Sequence, residues 1–149
     1  MIVGTEWLIE AAGCDAAALR NEDALRLLFD RVVTDLNLKV IDAIWHKFPG
    51  EGGVTGLLAL TESHLAGHTY PEHGIATFNL YCCRTRPEWD WEENLKASLG
   101  AEHVSVSRIQ REGQEKISDF RFENPNSAAF SDRHSAIRSS QSHTAGGDA

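Results

Sequence analysis

Apolar residues recur along the chain with two periods. Between residues 21 and 36 they fall at Ala24/Leu25, Leu28/Phe29, Val32/Val33 and Leu36, a single stripe at helical spacing. That is the face of a helix lying on a core. Asn21 is suited to cap it, and Glu22 and Asp23 fall where the positive end of a helix dipole favours acids. Residues 38–46 (LKVIDAIWH) alternate, the two-residue period of a strand. Residues 54–61 (VTGLLALT) are apolar at both parities, which predicts a central strand buried on both faces. Residues 4–12 (GTEWLIEAA), 75–83 (IATFNLYCC) and 102–111 (EHVSVSRIQR) complete the predicted strands. Asp90 and Glu93 have the spacing of a capping box, opening a short helix that runs through Leu99 and ends on Gly100. Gly and Pro mark turns at residues 13–15, 48–53 and 71–74.

The resulting order, β-α-β-β-β-α-β, predicts an α+β fold: a two-layer α/β sandwich with a mainly antiparallel sheet and two helices on one face. The other face of so small a sheet is available to a partner subunit. After about residue 122 the chain becomes rich in Ser, Asn, His and Gly, so the expected domain is 1–122, followed by a disordered tail over 123–149. A chain of 149 residues supports one domain with one core. No apolar run approaches the ~20 residues of a membrane helix, and the start, MIVGTEWLIE, lacks a basic segment followed by an apolar one. The expectation is a cytoplasmic protein with no membrane partner. A net charge of -8 argues against nucleic acid as a partner, since phosphates demand a basic face. The three cysteines, Cys14, Cys82 and Cys83, do not form a disulfide framework, and adjacent Cys82 and Cys83 lack zinc-knuckle spacing. Trp45, Trp89 and Trp91 read as packing residues.

Chemistry concentrates in residues 61–74, TESHLAGHTYPEHG. A serine hydrolase is disfavoured because Ser63 sits in L-T-E-S-H-L rather than in a G-x-S-x-G elbow. His64, His68 and Glu72 are four residues apart, a spacing that gathers ligands on a helix. The stretch reads as strand, however, where four residues span about 13 Å, so no metal site is expected. The third reading rests on a longer pattern. Gly53, Val54, Thr55 and Gly56, then Glu62, Ser63, His64 and Leu65, then His68, Thr69, Tyr70, Pro71 and Glu72, followed by Cys83, resemble the signature of prokaryotic S-adenosylmethionine decarboxylase proenzymes. Thr55 stands where that family usually has Ser, and Tyr70 where it has Trp. The resemblance covers residues 4–111.

What the resemblance implies is self-cleavage between Glu62 and Ser63. The Ser63 hydroxyl attacks the preceding carbonyl, an ester replaces the amide, and β-elimination leaves a pyruvoyl group derived from Ser63. His68 is implied as the base for the elimination. The pyruvoyl cofactor acts as pyridoxal phosphate does, forming a Schiff base with the substrate amine and accepting the electrons left by carbon dioxide. Cys83 is implied as the acid that returns a proton to the α-carbon, and Glu72 as the carboxylate that binds the ribose hydroxyls. Phe48 is the candidate for stacking on adenine or facing the sulfonium cation. Cys82, one residue from Cys83, falls on the opposite strand face and is expected to be structural. The resemblance further implies a small-molecule substrate and a homo-oligomer of cleaved protomers, a dimer with its sites near the interface. The product would be the aminopropyl donor for spermidine synthesis. Two alternatives stand beside this reading: a pyruvoyl-dependent arginine or ornithine decarboxylase on the same fold, which the motif residues fit, and an uncleaved homologue that binds or regulates, against which the intact Ser63, His68 and Cys83 set argues.

Overall fold

Asn21 does cap a helix. Its side-chain oxygen accepts the Ala24 N–H at 3.2 Å, and the helix that follows buries Leu25, Leu28, Phe29 and Val32, the apolar stripe of the sequence. The computed structural model describes residues 1–113, so the predicted boundary at residue 122 and the tail beyond it lie outside the described residues. In chain order the elements are β1 (Ile2–Ala12), α1 (Ala16–Arg20), α2 (Glu22–Asp35), β2 (Val40–Lys47), β3 (Val54–Leu60), β4 (Ser63–Tyr70), β5 (Ile75–Cys82), α3 (Trp91–Leu99) and β6 (His103–Glu112). The cap of α3 is as the spacing predicts. Asp90 accepts the Glu93 N–H at 3.0 Å, and Gly100 closes the helix in the left-handed conformation, φ 65°.

The six strands form one antiparallel sheet in the order β2-β3-β4-β5-β1-β6. It belongs to the predicted α+β class with three differences of detail. First, the motif stretch, which reads as strand but has no place in the predicted order, is a sixth strand, β4, joined to β3 through a two-residue turn at Thr61 and Glu62. Second, the described residues hold three helices, not two. The extra one, α1, is a single turn capped by Asp15 that buries only Leu19, too short to leave a periodic stripe. Third, β3 is covered on one face only. Val54, Gly56, Leu58 and Leu60 are buried while Leu57 is 39% exposed, because the helices pack on one side of the sheet.

The core lies between that side and the helices. Phe29 of α2 packs against Trp45 of β2 and Phe78 of β5, with ring centroids 5.1 and 6.2 Å apart, and Trp91 of α3 stacks on Phe78 at 6.1 Å. Gly67 of β4 makes this approach possible. A Cβ there would stand 2.7 Å from Phe78 Cδ1 and 2.8 Å from Phe29 Cζ, closer than carbon atoms tolerate. Thr69, two residues on, is buried and ties three elements together: its hydroxyl donates to the Leu19 carbonyl at 2.7 Å and accepts the Val54 N–H at 2.8 Å.

The opposite face of the sheet carries Leu8, Ile44, Leu57, Tyr70 and Ile75, all exposed. A hydrogen-bonded chain crosses four of its strands. His64 Nε2 meets Asn79 Oδ1 at 2.8 Å, Asn79 Nδ2 donates to Glu6 at 2.8 Å, and Arg111 donates to the other Glu6 oxygen at 2.6 Å. The Asn79 hydrogen bond, then Arg111, holds the Glu6 carboxyl below its ordinary value, against the opposing effect of burial. No helix of the described residues is long and apolar enough to cross a membrane.

Candidate active site

Strand β4 begins at Ser63 and ends at Tyr70, so its two ends carry different chemistry. At the first end Ser63 stands opposite Cys82 in the β4 and β5 ladder. Both side chains point toward the helices. Burial pushes the Cys82 thiol up, opposed by the Ser63 hydroxyl and the nearby Arg86 charge. Cys82 is thus buried as expected, and it lies beside Ser63. Cys83 follows the end of β5 with its side chain exposed, while its backbone N–H donates to the Glu62 carbonyl at 3.1 Å. That carbonyl belongs to the peptide bond joining Glu62 to Ser63.

The Glu62 side chain is held by two arginines from the segment after β5. Arg84 Nε lies 2.8 Å from Glu62 Oε1 and Arg86 Nη2 3.4 Å from Oε2. A cavity of about 290 Å³ opens beside them, lined by Thr5, Cys83, Arg84, Arg86 and Arg108 among others. Sequence reasoning passed over both arginines, because their partner is 22 or more residues away across a hairpin. Their one local signal is a pair of cations just past a strand end.

At the other end His68 lies on the exposed face, its Nδ1 3.0 Å from the Thr55 hydroxyl of β3. A second cavity, about 350 Å³, is lined by Phe48, Gly53, Thr55, His68, Tyr70 and Glu72. Phe48, 46% exposed, sits edge-on to His46 with ring centroids 4.5 Å apart. Glu72, in the turn between β4 and β5, faces solvent with only exposed His73 near it, at 4.0 Å. Two motif glycines are structural here. A Cβ on Gly53 would collide with the Thr69 carbonyl, and one on Gly56 with the Trp45 ring.

The predicted residues therefore fall into two groups. Glu62, Ser63 and Cys83 are together, and Phe48, His68 and Glu72 are together. Five residues of strand separate Ser63 from His68, about 16 Å, and their odd spacing places them on opposite faces. Within one chain the described residues do not bring His68 to Ser63. His64, His68 and Glu72 likewise do not converge, and no set of three His, Cys, Asp or Glu among the described residues is arranged to hold a metal ion.

Comparison with known proteins gives one answer. The sequence model described as S-adenosylmethionine decarboxylase matches residues 5–112. An S-adenosylmethionine decarboxylase proenzyme from Prochlorococcus marinus is 36% identical over 113 residues, covering 74% of this chain and 89% of that one. Another, from Thermococcus gammatolerans, is 34% identical over 110 residues, covering 73% and 76%. The solved structure of the adenosylmethionine decarboxylase from Aquifex aeolicus superimposes with a TM-score of 0.63 at 25% identity, over 79% of this chain and 98% of that one.

Proposed function

Since the chain belongs to the S-adenosylmethionine decarboxylase family, we propose that it is a self-processing decarboxylase of S-adenosylmethionine, cut between Glu62 and Ser63. The observation that carries this reading is the Cys83 N–H on the Glu62 carbonyl, 3.1 Å away. When the Ser63 hydroxyl adds to that carbonyl carbon, the oxygen gains negative charge. A fixed backbone donor already in place stabilises that charge without reorganisation. Ser63 heads its strand directly after a turn, which gives the scissile peptide bond more freedom than one inside a ladder. Elimination then removes the Ser63 Cα proton and releases the Glu62 carboxylate, and the enamine left behind tautomerises to an imine that water hydrolyses to the pyruvoyl ketone with loss of ammonia. His68 is the base proposed for that step.

The donor set at Ser63 fits formation of a pyruvoyl group there. Such a group supplies a ketone that binds the substrate amine and takes up the electron pair left by departing carbon dioxide. Cys83, at the same end of the sheet, delivers the proton that the product α-carbon needs. Glu72 accepts hydrogen bonds from the ribose hydroxyls, and Phe48 offers a ring to the adenine or the sulfonium. The product is an aminopropyl donor of the kind consumed in spermidine synthesis.

The 16 Å between the two groups supports a dimer built on the open sheet face. His68, Thr55, Phe48 and Glu72 of one protomer would serve the other protomer's Cys83 and approach its Ser63 from the side of the backbone opposite the side chain, where the Cα proton is taken, and a two-fold axis makes two such sites equivalent. The apolar residues exposed on that face are the surface such a dimer would cover.

Intact mass of the purified full chain tests the reading. Fragments 1–62 and 63–149 are expected, the second blocked to amine-directed sequencing, with Ser63→Ala left whole and inactive. Carbon dioxide release is then measured from S-adenosylmethionine, arginine and ornithine in parallel. A whole chain with full activity, or turnover of arginine or ornithine alone, rejects the proposal. Glu72→Gln should raise KM for S-adenosylmethionine while cleavage proceeds normally.

A further inference from the structure

Two guanidinium groups hold the Glu62 carboxylate, and a third, paired with a second carboxylate, lines the same cavity. Arg84 and Arg86 share the Glu62 side chain, and Arg108 is paired with Glu88 at 3.4 Å. All three arginines line the cavity beside Cys83. The cluster carries one positive charge too many, and one donor in it has no use: Arg86 Nε is buried with no hydrogen-bond partner among the described residues. An unsatisfied buried donor on a charged group is costly. Arg86 holds the side chain of Glu62, whose carbonyl belongs to the scissile bond, and its charge acts on the buried Cys82 thiol that stands opposite Ser63 in the ladder.

We propose that Arg84 and Arg86 are positioning residues for self-cleavage, and that Arg86 receives the carboxylate released at Glu62. The proposal rests on the cut between Glu62 and Ser63 proposed above. Before cleavage the two arginines clamp the Glu62 side chain, holding the scissile carbonyl against the Cys83 N–H. In the ester that follows, the Glu62 C–N bond has broken and the Ser63 nitrogen has taken the hydroxyl proton to become an amine, so no net charge is created in that step. In the elimination a base takes the Ser63 Cα proton and those electrons form the Cα=Cβ bond. The Cβ–O bond breaks, and its electron pair leaves with the Glu62 α-carboxylate. That step creates one negative charge where the cluster holds one surplus positive charge. The cluster ends neutral, with the spare Arg86 donor facing its new acceptor. An arginine so placed favours the departing carboxylate over the neutral ester, and therefore speeds the second step.

The test is a time course of intact mass on full-length Arg86→Gln, Arg86→Lys and Arg84→Gln, with a hydroxylamine challenge at each point. Hydroxylamine cuts the ester and spares the amide. In Arg86→Gln, fragments should form at least about tenfold more slowly and a hydroxylamine-sensitive whole chain should accumulate. Arg86→Lys, which keeps the charge, should recover most of the rate. Arg84→Gln, whose side chain is 72% exposed, should melt as the wild type does and slow cleavage by a smaller factor. Cleavage of Arg86→Gln at the wild-type rate overturns the proposal. A folded Arg86→Gln chain that stalls as hydroxylamine-resistant amide overturns the assignment of Arg86 as receiver of the released carboxylate. Should Arg86→Gln lose its cooperative melt, the other two variants decide, and wild-type rates in Arg84→Gln with no rescue by lysine overturn it. A wild-type chain that never cuts is a different failure, that of the proposed function.

Discussion

If Ser63 and His68 act together only across two protomers, two dead variants should rescue each other. Ser63→Ala lacks the nucleophile, and His68→Ala lacks the base. In a mixed dimer, the intact Ser63 of the His68→Ala chain faces the intact His68 of the Ser63→Ala chain. The second site of that dimer combines both defects and stays inert. Random pairing of equal amounts puts about half the chains in mixed dimers, so about a quarter of all sites should become active. The readout is sharper than activity, because only one chain has a serine to cut. Co-expressed with different affinity tags, about half of the His68→Ala chain should appear as fragments 1–62 and 63–149 and none of the Ser63→Ala chain. The same His68→Ala chain expressed alone should stay whole. This expectation comes from geometry, since five residues of β4 hold the two side chains about 16 Å apart on opposite faces. Dual-tag purification verifies that mixed dimers form. Mixed dimers in which nothing is cut would refute the shared site, and cutting of His68→Ala alone would refute the role of His68.

Three further outcomes follow from the packing and the polar network. Cys83→Ala should cleave but release carbon dioxide slowly, whereas Cys82→Ala should keep its turnover and lose about 1 kcal/mol of stability, read by intact mass, activity and urea unfolding. Gly67→Ala forces a methyl against Phe29 and Phe78 and should cost about 1–3 kcal/mol in urea unfolding; an unchanged midpoint would mean that α2 shifts freely. Because the folded state holds the Glu6 carboxyl below its ordinary value of 4.5, the stability it contributes is complete above that pH and is lost as pH falls through the lower folded value. The wild-type chain should therefore lose more stability between pH 7 and pH 3 than Glu6→Gln does, and equal losses would reject the network.

Much of the architecture was legible because it rests on local periodicity. The stripe of α2, the caps at Asn21 and Asp90, and the strands flanking residues 71–74 are all written in neighbouring residues. Helix α1 was not, since one turn anchored by Leu19 alone has no period to detect. Nor was the single-sided burial of β3. Leu57 and Ala59 look like core residues until it is known that every helix lies on the other face. At the site, the motif identified Ser63, His68, Glu72 and Cys83 together, and linear spacing could not show that a strand divides them between its two ends. The clamp of Arg84 and Arg86 on Glu62 depends on the closing of the β4 and β5 hairpin, which places residue 84 beside residue 62. No window of sequence contains that contact.

Strand order gives the cut an unusual aftermath. Strand β1 belongs to the fragment that ends at Glu62, yet it lies between β5 and β6, both of the other fragment, and the β3 and β4 ladder also joins the two pieces. Cut as proposed between Glu62 and Ser63, the chain would thread its two halves through each other while still continuous and then sever the link, becoming a heterodimer by birth. Its unfolding liberates two molecules, so its melting temperature should climb with protein concentration, as that of the uncut Ser63→Ala protomer does not through this dissociation. Refolding becomes a bimolecular search in which β1 must find a slot between two strands of another molecule. The precursor acts as a template for an assembly that its products, once parted by heat or denaturant, would re-form slowly and only at high concentration.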